Sequence, residues 1–302
     1  MVHILRELNT KGLRARAVSI AHLPELEEEL EERRINGDLQ EGFFRERLAD
    51  FQFEPPESMP KASTIIIIAF PQPIIQVSFH RNGDRSPLII PPTYQFYPNT
   101  VTERLLKKVL SQTGHRLART ILPLKLLAVR SGLGSYGRNN ICYVPGMGSY
   151  HRLMAFFTDF PLTEDSWQSA KLMESCSRCS ACLYSCPTGA ITPNRFLIRA
   201  HRCLTYLNER PSEFPAWVNP SWHNALVGCM RCQEVCPANA SFKKIIEPRD
   251  YFSKEESRIL LNEINPAKLS LSMRKRLKKL GLWEYVDLLP RNIRLVMDEL
   301  KK

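Results

Sequence analysis

Four cysteines crowd the stretch CSRCSACLYSCP: Cys176, Cys179, Cys182 and Cys186, with Pro187 directly after. A loop that carries a thiolate at every third residue can wrap three corners of a cube of four irons and four sulfurs. The fourth corner has to come from a distant part of the chain. The run therefore demands a second block, and CMRCQEVCPAN supplies it as Cys229, Cys232 and Cys236 followed by Pro237. Cys203, upstream, takes the place of the first cysteine that this second block lacks.

The spacing is that of two-cluster ferredoxins, in which the fourth cysteine of each run serves the other cluster. By that crossing, Cys176, Cys179, Cys182 and Cys236 hold one 4Fe-4S cluster, and Cys186, Cys203, Cys229 and Cys232 hold the other. A pair of zinc sites is the competing reading, because C-x2-C pairs also form zinc knuckles. Zinc has no need of a third cysteine at this spacing, and neither block carries a ligand histidine at finger spacing. His201 and His223 read as surface or packing residues, and Cys142, the one cysteine outside the two blocks, as a small buried hydrophobe.

Eight clustered thiols point to metal and away from a disulfide framework, which suits a reducing compartment. The chain has 302 residues, 43% of them hydrophobic and 24% charged, enough for a sizeable core and most simply two domains. No start-transfer or twin-arginine signal stands at the N-terminus, and the densest apolar run, residues 65–70, is too short to span a bilayer. The expectation is a cytoplasmic protein with no membrane contact. The formal charge of +11 counts thiols as neutral; two oxidised clusters with their thiolates would bring it to roughly +7. An anionic partner is compatible with that balance without being demanded by it.

Along the chain, LPELEEELEERR (residues 23–34) predicts a surface helix, with acids early and arginines late as the helix dipole prefers. STIIIIAFP reads as a strand buried on both faces. Frequent prolines between Pro71 and Pro98 predict a long irregular excursion. Residues 100–130 predict two helices, with Thr100 or Thr102 as cap of the first and Pro123 opening the second. Residues 150–162 read as another core strand, with a boundary near 163–170. Residues 253–264 and 269–300 are helical by pattern, the latter interrupted by Gly281 and Pro290. The organisation expected is α+β: an α/β domain over 1–165, a ferredoxin-like double-cluster domain over 166–245 and a helical C-terminal segment over 246–302.

Roughly 160 residues precede the cysteines, far more than an electron carrier needs, so the N-terminal domain should house an acceptor. Its best candidate is SGLGSYGRNN, whose glycines allow close backbone approach to a bulky ligand. It does not fit the dinucleotide fingerprint, and a plain turn between helix and strand remains open. Taken together, RSGLGSYGRNNICYVPGMGSY, MAFFTDFPL, CSRCSACLYSCPTGAI, CLTYL and CMRCQEVCPANA resemble the epoxyqueuosine reductase family in order and separation. SMPKASTIIIIAFPQP is similar to that family's early strand, and the likeness covers roughly residues 10–240. Members of the family, and the related reductive dehalogenases, carry base-off cobalamin on a nitroreductase-like domain beside two four-iron clusters.

The resemblance implies an iron-sulfur oxidoreductase in which the clusters feed a corrinoid, with a role in queuosine biosynthesis and transfer RNA processing. It implies a corrinoid pocket lined or shaped by Gly132, Leu133, Gly134, Gly137, Arg138, Asn139, Gly148, Ser149, Thr205 and Tyr206. An external donor of ferredoxin or flavodoxin type, and transfer RNA or a corrinoid protein, are the expected partners. Two departures stand against a simple transfer. The family's catalytic aspartate would fall near Ala118 or Thr120, neither of which is acidic, with His115, Tyr94 and Tyr97 as stand-ins. Long members add helical repeats that help hold transfer RNA, whereas about 65 residues follow Cys236 here, with Lys275, Arg276, Lys278 and Lys279 as the basic stretch. An electron-transfer protein that reduces a corrinoid or another acceptor on a partner is the alternative, and a corrinoid-binding or chaperone module a third.

Overall fold

The computed structural model describes residues 1–81, 83–242, 246–262 and 264–299. Residues 245, 263 and 300, at the edges of three expected elements, lie outside the described residues. The chain begins with α1 (Val2–Thr10), β1 (Arg14–Ser19), α2 (Leu23–Ile35) and α3 (Glu41–Arg47). It continues through β2 (Thr64–Pro71), β3 (Ile74–Arg81), β4 (Asp84–Ile90), α4 (Tyr97–Ser111), β5 (Leu117–Arg119) and α5 (Leu124–Arg130). A two-residue ribbon, β6 (Ser135–Tyr136) and β7 (Cys142–Tyr143), precedes β8 (His151–Thr158). The cysteine region holds only single helical turns, α6 (Ala181–Ser185), α7 (Leu204–Asn208) and α8 (Arg231–Glu234). Then follow β9 (Ile246–Tyr251), α9 (Lys254–Leu261), α10 (Leu271–Leu280) and α11 (Leu289–Glu299).

The isoleucine run forms the centre of an antiparallel sheet ordered β1-β2-β8-β5. Both faces of β2 are covered. Ile65 and Ile67 pack with Leu26 of α2 and Leu127 of α5, while Ile66 and Ile68 pack with Leu8 of α1 and Leu110 of α4. That is why the run shows no polar alternation: no side of it faces water. Each fully buried isoleucine contributes about 1.5–3 kcal/mol relative to an exposed one.

The expected irregular excursion is instead a hairpin. β3 and β4 pair antiparallel, and β9 joins β3 on its other side in parallel. Pro87 misled the reading because proline breaks strands, yet it sits on β4, an edge strand, where its missing N–H costs no ladder bond. The segment expected to be helical from 246 onward thus opens with a strand. Phe79 of β3 stacks on Phe252 at 5.1 Å between ring centroids, and Leu88, Leu260, Leu277 and Ile293 complete one core. Residues 74–90 and the C-terminal helices therefore stabilise each other.

Other expectations need correction in detail. α4 begins at Tyr97, before Thr100, with Pro98 in its first turn, and neither threonine caps it; Thr102 is buried on its inner face. A short strand, β5, separates it from α5, which starts directly after Pro123. Pro290 lies in the first turn of α11, where a missing N–H is harmless, so it opens that helix. Among the described residues no helix is long and apolar enough to cross a membrane.

Gly281 ends α10 in the left-handed conformation, φ 72°. A Cβ there would collide with the backbone carbonyl of Tyr94, which ties α10 to the segment after β4. Gly281→Ala is expected to destabilise the chain by about 1–3 kcal/mol, read as a lowered thermal midpoint of the metal-loaded protein. An unchanged midpoint would contradict this packing.

Candidate functional site

The short turns of the cysteine region present sulfur to two cavities. None of the nine cysteines is in a disulfide. One small cavity is lined by Cys176, Cys179, Cys182 and Cys236, together with Arg138, Asn139 and Tyr143. A larger one, about 420 Å³, has Cys186, Cys203, Cys229 and Cys232 in its wall. Electrostatics divides the thiols the same way. Burial, then Cys176, Cys236 and Cys179, push the Cys182 thiol up to about 11; burial, then Cys203, raise Cys229 to about 12, with Cys186 adding to the rise. Among the described residues no three His, Cys, Asp or Glu side chains converge to hold a single metal ion.

The surroundings suit thiolates. The Tyr143 hydroxyl reaches Cys236, the Asn139 amide reaches Cys232, and the amide and hydroxyl of Thr205 reach Cys203. Donors aimed at sulfur are what a four-iron cluster needs around its ligands. Arg138 donates to the carbonyls of Cys176 at 2.8 Å and Cys179 at 3.1 Å, which fixes the first loop. Asn139 lines both cavities and donates to the Tyr143 hydroxyl at 2.9 Å, so one side chain stands where the two sulfur sets meet.

Asn239, just past Cys236 and fully buried, ties the second block to the turn at Ser149. Its Oδ1 accepts from the Ser149 N–H at 2.9 Å, and its Nδ2 donates to the Ser149 hydroxyl at 2.8 Å and the Gln233 carbonyl at 3.0 Å. Gly148, φ 57°, makes room: a Cβ there would strike Asn239 Oδ1.

The large cavity opens between the end of β4, the start of α5, the ribbon, the start of β8 and the second sulfur set. Its apolar wall includes Leu124, Ile141, Leu153, Ile191 and Ile198, and its polar groups include Thr93, Asn139, Asn140, Ser149 and Gln233. Lys125, Arg152 and Arg231 line it, and among the described residues no Asp or Glu does. His151 Nε2 donates to the Cys142 carbonyl at 3.1 Å, and burial depresses the imidazole to about 4, so it is neutral. Its Nδ1 and the Asn140 Nδ2 have no partner among the described residues, and Asn140 adopts a left-handed φ of 58°. Unpartnered polar atoms, amides and apolar surface together fit a large amphiphilic ligand. The Tyr94 hydroxyl, at one wall, donates to Glu209, and burial raises both groups.

Of the residues expected at a ligand pocket, Asn139, Ser149 and Thr205 line it. Gly137 and Arg138 belong to the small cavity. Gly132 packs on Gln168, Gly134 on the Tyr143 carbonyl and Gly148 on Asn239; Leu133 is in the sheet core; Tyr206 donates to Glu46 at 2.6 Å. Close approach there joins protein to protein. Where the missing aspartate would fall, Ala118 is in β5 and the Thr120 hydroxyl donates to the Ala155 carbonyl at 3.1 Å. His115 faces Asp159 and Phe160 and Tyr97 meets Phe70, so of the three stand-ins Tyr94 alone reaches the cavity. Lys125, Asn140, His151 and Arg152 escaped the sequence reading; a lone cation in the apolar LKLLAV was the available signal. His223 is buried against Phe214, as a packing residue, and Cys142 sits in the core.

Residues 175–239 match the family described as a 4Fe-4S double cluster binding domain. An epoxyqueuosine reductase of Staphylococcus aureus is 30% identical over 226 residues, 71% of this chain and 58% of that one. One from Bacillus subtilis is 27% identical over 249 residues, 79% of this chain and 62% of that one. This chain thus spans less than two thirds of the length of these curated relatives. The solved epoxyqueuosine reductase of Streptococcus thermophilus superposes with a TM-score of 0.69 at 20% identity, covering 100% of this chain and 81% of that one. The fold is shared, and the resemblance read from the motifs stands.

Two measurements check the site. Cys236→Ala, although in the second block, is expected to remove the first cluster, taking iron from about eight to about four per chain with acid-labile sulfide in proportion; retention of eight would break the crossed grouping. Burial, with Arg291 and Arg231, depresses His223 to about 4. Its folded state favours the neutral ring, so stability is full above about pH 6.5 and falls as the pH drops toward 4, by on the order of 3 kcal/mol. His223→Gln is expected to flatten that part of the urea-midpoint profile.

Proposed function

We propose that this chain is an iron-sulfur reductase of epoxyqueuosine reductase type, with a 4Fe-4S cluster on each sulfur set and a corrinoid in the large cavity. One observation carries the reading: Cys186, Cys203, Cys229 and Cys232 form a wall of the very cavity whose other walls suit a ligand. When bound, the clusters would supply one-electron transfer and a corrinoid would supply the low-valent cobalt that does the difficult chemistry. On this reading the division into a nitroreductase-like lobe over 1–165, a double-cluster domain over 166–245 and a C-terminal segment is a functional one. A cytoplasmic location and an external donor of ferredoxin or flavodoxin type belong to the same proposal.

The chain's own groups have definite tasks. Asn140 and His151 present their unpartnered Nδ2 and Nδ1 to the ligand, and the aliphatic wall excludes water. Tyr94 holds a proton at its hydroxyl at any working pH, because burial and Glu209 push its pKa up; it is the proton-bearing stand-in for the missing acid. The acid-free lining favours one second reading, an electron-transfer protein without turnover of its own.

An epoxyqueuosine reductase solved with an epoxyqueuosine-modified tRNA stem loop has this fold, with a TM-score of 0.70 at 21% identity. Transfer RNA is proposed as a partner on that basis. α10 offers exposed Lys275, Lys278 and Lys279, whereas Arg276 is engaged by Glu256 and Asp250.

Cob(II)alamin added to the anaerobically reconstituted protein is expected to give a base-off spectrum. An unchanged spectrum would leave the carrier reading alone. If it binds, RNA containing epoxyqueuosine is the substrate to assay, and unreduced epoxide would remove that substrate.

A further inference from the structure

The large cavity is lined by three cations and, among the described residues, by no carboxylate. Each of the three is held by neutral oxygens. Arg231 donates to the carbonyls of Trp222 at 3.2 Å and Ser221 at 2.9 Å, and Arg152 donates to Asn99 Oδ1 at 2.7 Å and to the Thr93 carbonyl. Lys125, the second residue of α5, donates to the Asn140 carbonyl at 3.0 Å and to Asn140 Oδ1 at 3.4 Å. Both arginines are partly buried, whereas Lys125 is exposed. An ammonium carries three N–H donors, so after these two contacts one remains for a ligand.

Lys125 also settles how the Asn140 amide is turned. With Oδ1 toward the ammonium, the other arm of the amide is the donor Nδ2, and it has no partner among the described residues. Asn140 is 9% exposed, so bulk water does not satisfy that donor, and leaving it bare is costly. Its left-handed backbone, φ 58°, is one that asparagine tolerates better than most residues. One corner of the cavity thus holds a charged donor beside a neutral one, with no acid to answer the charge. Such a pair suits the oxygens of an anion. A corrinoid and RNA present many neutral amides and hydroxyls, but the anionic group of both is the phosphodiester, found once in the nucleotide tail of cobalamin and at every step of an RNA backbone.

We propose that Lys125 and Asn140 form a phosphodiester subsite in the wall of the large cavity, one phosphate oxygen accepting from Lys125 Nζ and another from Asn140 Nδ2; this rests on the corrinoid reading given above. No bond is made or broken there. The subsite holds a ligand by a part remote from its reactive centre, and binding energy of that kind serves to position the centre itself. Lys125 supplies the charge and Asn140 the direction.

The test uses the full reconstituted chain as wild type, Lys125→Gln, Lys125→Arg and Asn140→Gly. Glycine accepts the left-handed backbone and removes the amide without changing the charge. Absorbance titrations give the affinities for cob(II)alamin and for cob(II)inamide, which keeps the ring and its amides but lacks the phosphodiester tail. Fluorescence anisotropy gives the affinity for a labelled RNA stem loop. Lys125→Gln is expected to lower the cobalamin-to-cobinamide affinity ratio about tenfold, Asn140→Gly to lower it in the same direction, and Lys125→Arg to keep it. Corrinoid affinities unchanged, with RNA affinity lowered in both Lys125→Gln and Asn140→Gly, would support the subsite and assign the phosphodiester to RNA. All affinities unchanged at full iron content would overturn the proposal, and so would equal weakening of the two corrinoids, which marks general damage to the pocket. Should Lys125→Gln lose iron, Asn140→Gly decides by the same criteria. A wild type that binds neither corrinoid defeats the corrinoid reading, and the subsite then stands or falls by the RNA measurement alone.

Discussion

Eight thiols that repel one another once ionised have to share two enclosures, and this requirement organises the whole molecule. A short loop cannot close a ring of four sulfurs by itself, so Cys236 must return to the first block. The return is secured by hydrogen bonds. Asn239 grips the Ser149 turn, Asn139 and Tyr143 reach between the two sulfur sets, and Arg138 holds the carbonyls of the first loop. The glycine-rich segment is therefore a hinge plate between the N-terminal sheet and the cysteine region, and its small residues let two pieces of protein approach.

Charge is distributed to the same end. The chain carries many exposed ion pairs, yet Lys125, Arg152 and Arg231 stand at a cavity with no carboxylate in its wall among the described residues. Arg152 donates to Asn99 at 2.7 Å and to the Thr93 carbonyl, and His151 is neutral by burial. An excess of cations is tolerated there because a cluster with its thiolates on the second sulfur set would return roughly two negative charges. In this arrangement the metal centres complete the electrostatics of the fold.

Much of this was legible in the chain. The cysteine spacing named the ligand types because the constraint is local: three thiolates at three-residue intervals suit a cubane whatever surrounds them. The unbroken isoleucine run announced the central strand because burial on both faces removes polar alternation, and the acidic start and basic end of α2 marked its direction. The hairpin of β3 and β4 was obscured by Pro87, since whether proline is tolerated depends on whether the strand is at an edge. The glycines were legible as sites of close approach, while the partner they approach was not. Lys125 was overlooked because a single cation in an apolar helix is unremarkable until the cavity it enters is known.

The amino-acid sequence by itself determined the number and kind of sulfur ligands, the central buried strand and the absence of an acid where a proton donor would be sought. Only the tertiary structure decided that the cavity wall draws on the segment after β4, on α5, β7, β8 and the second cysteine block at once, and that Tyr94 alone of three stand-ins reaches it. The physical reason is range. Spacing and hydrophobic pattern act over a few residues, whereas enclosures arise when distant segments close on one another and share the cost of excluding water.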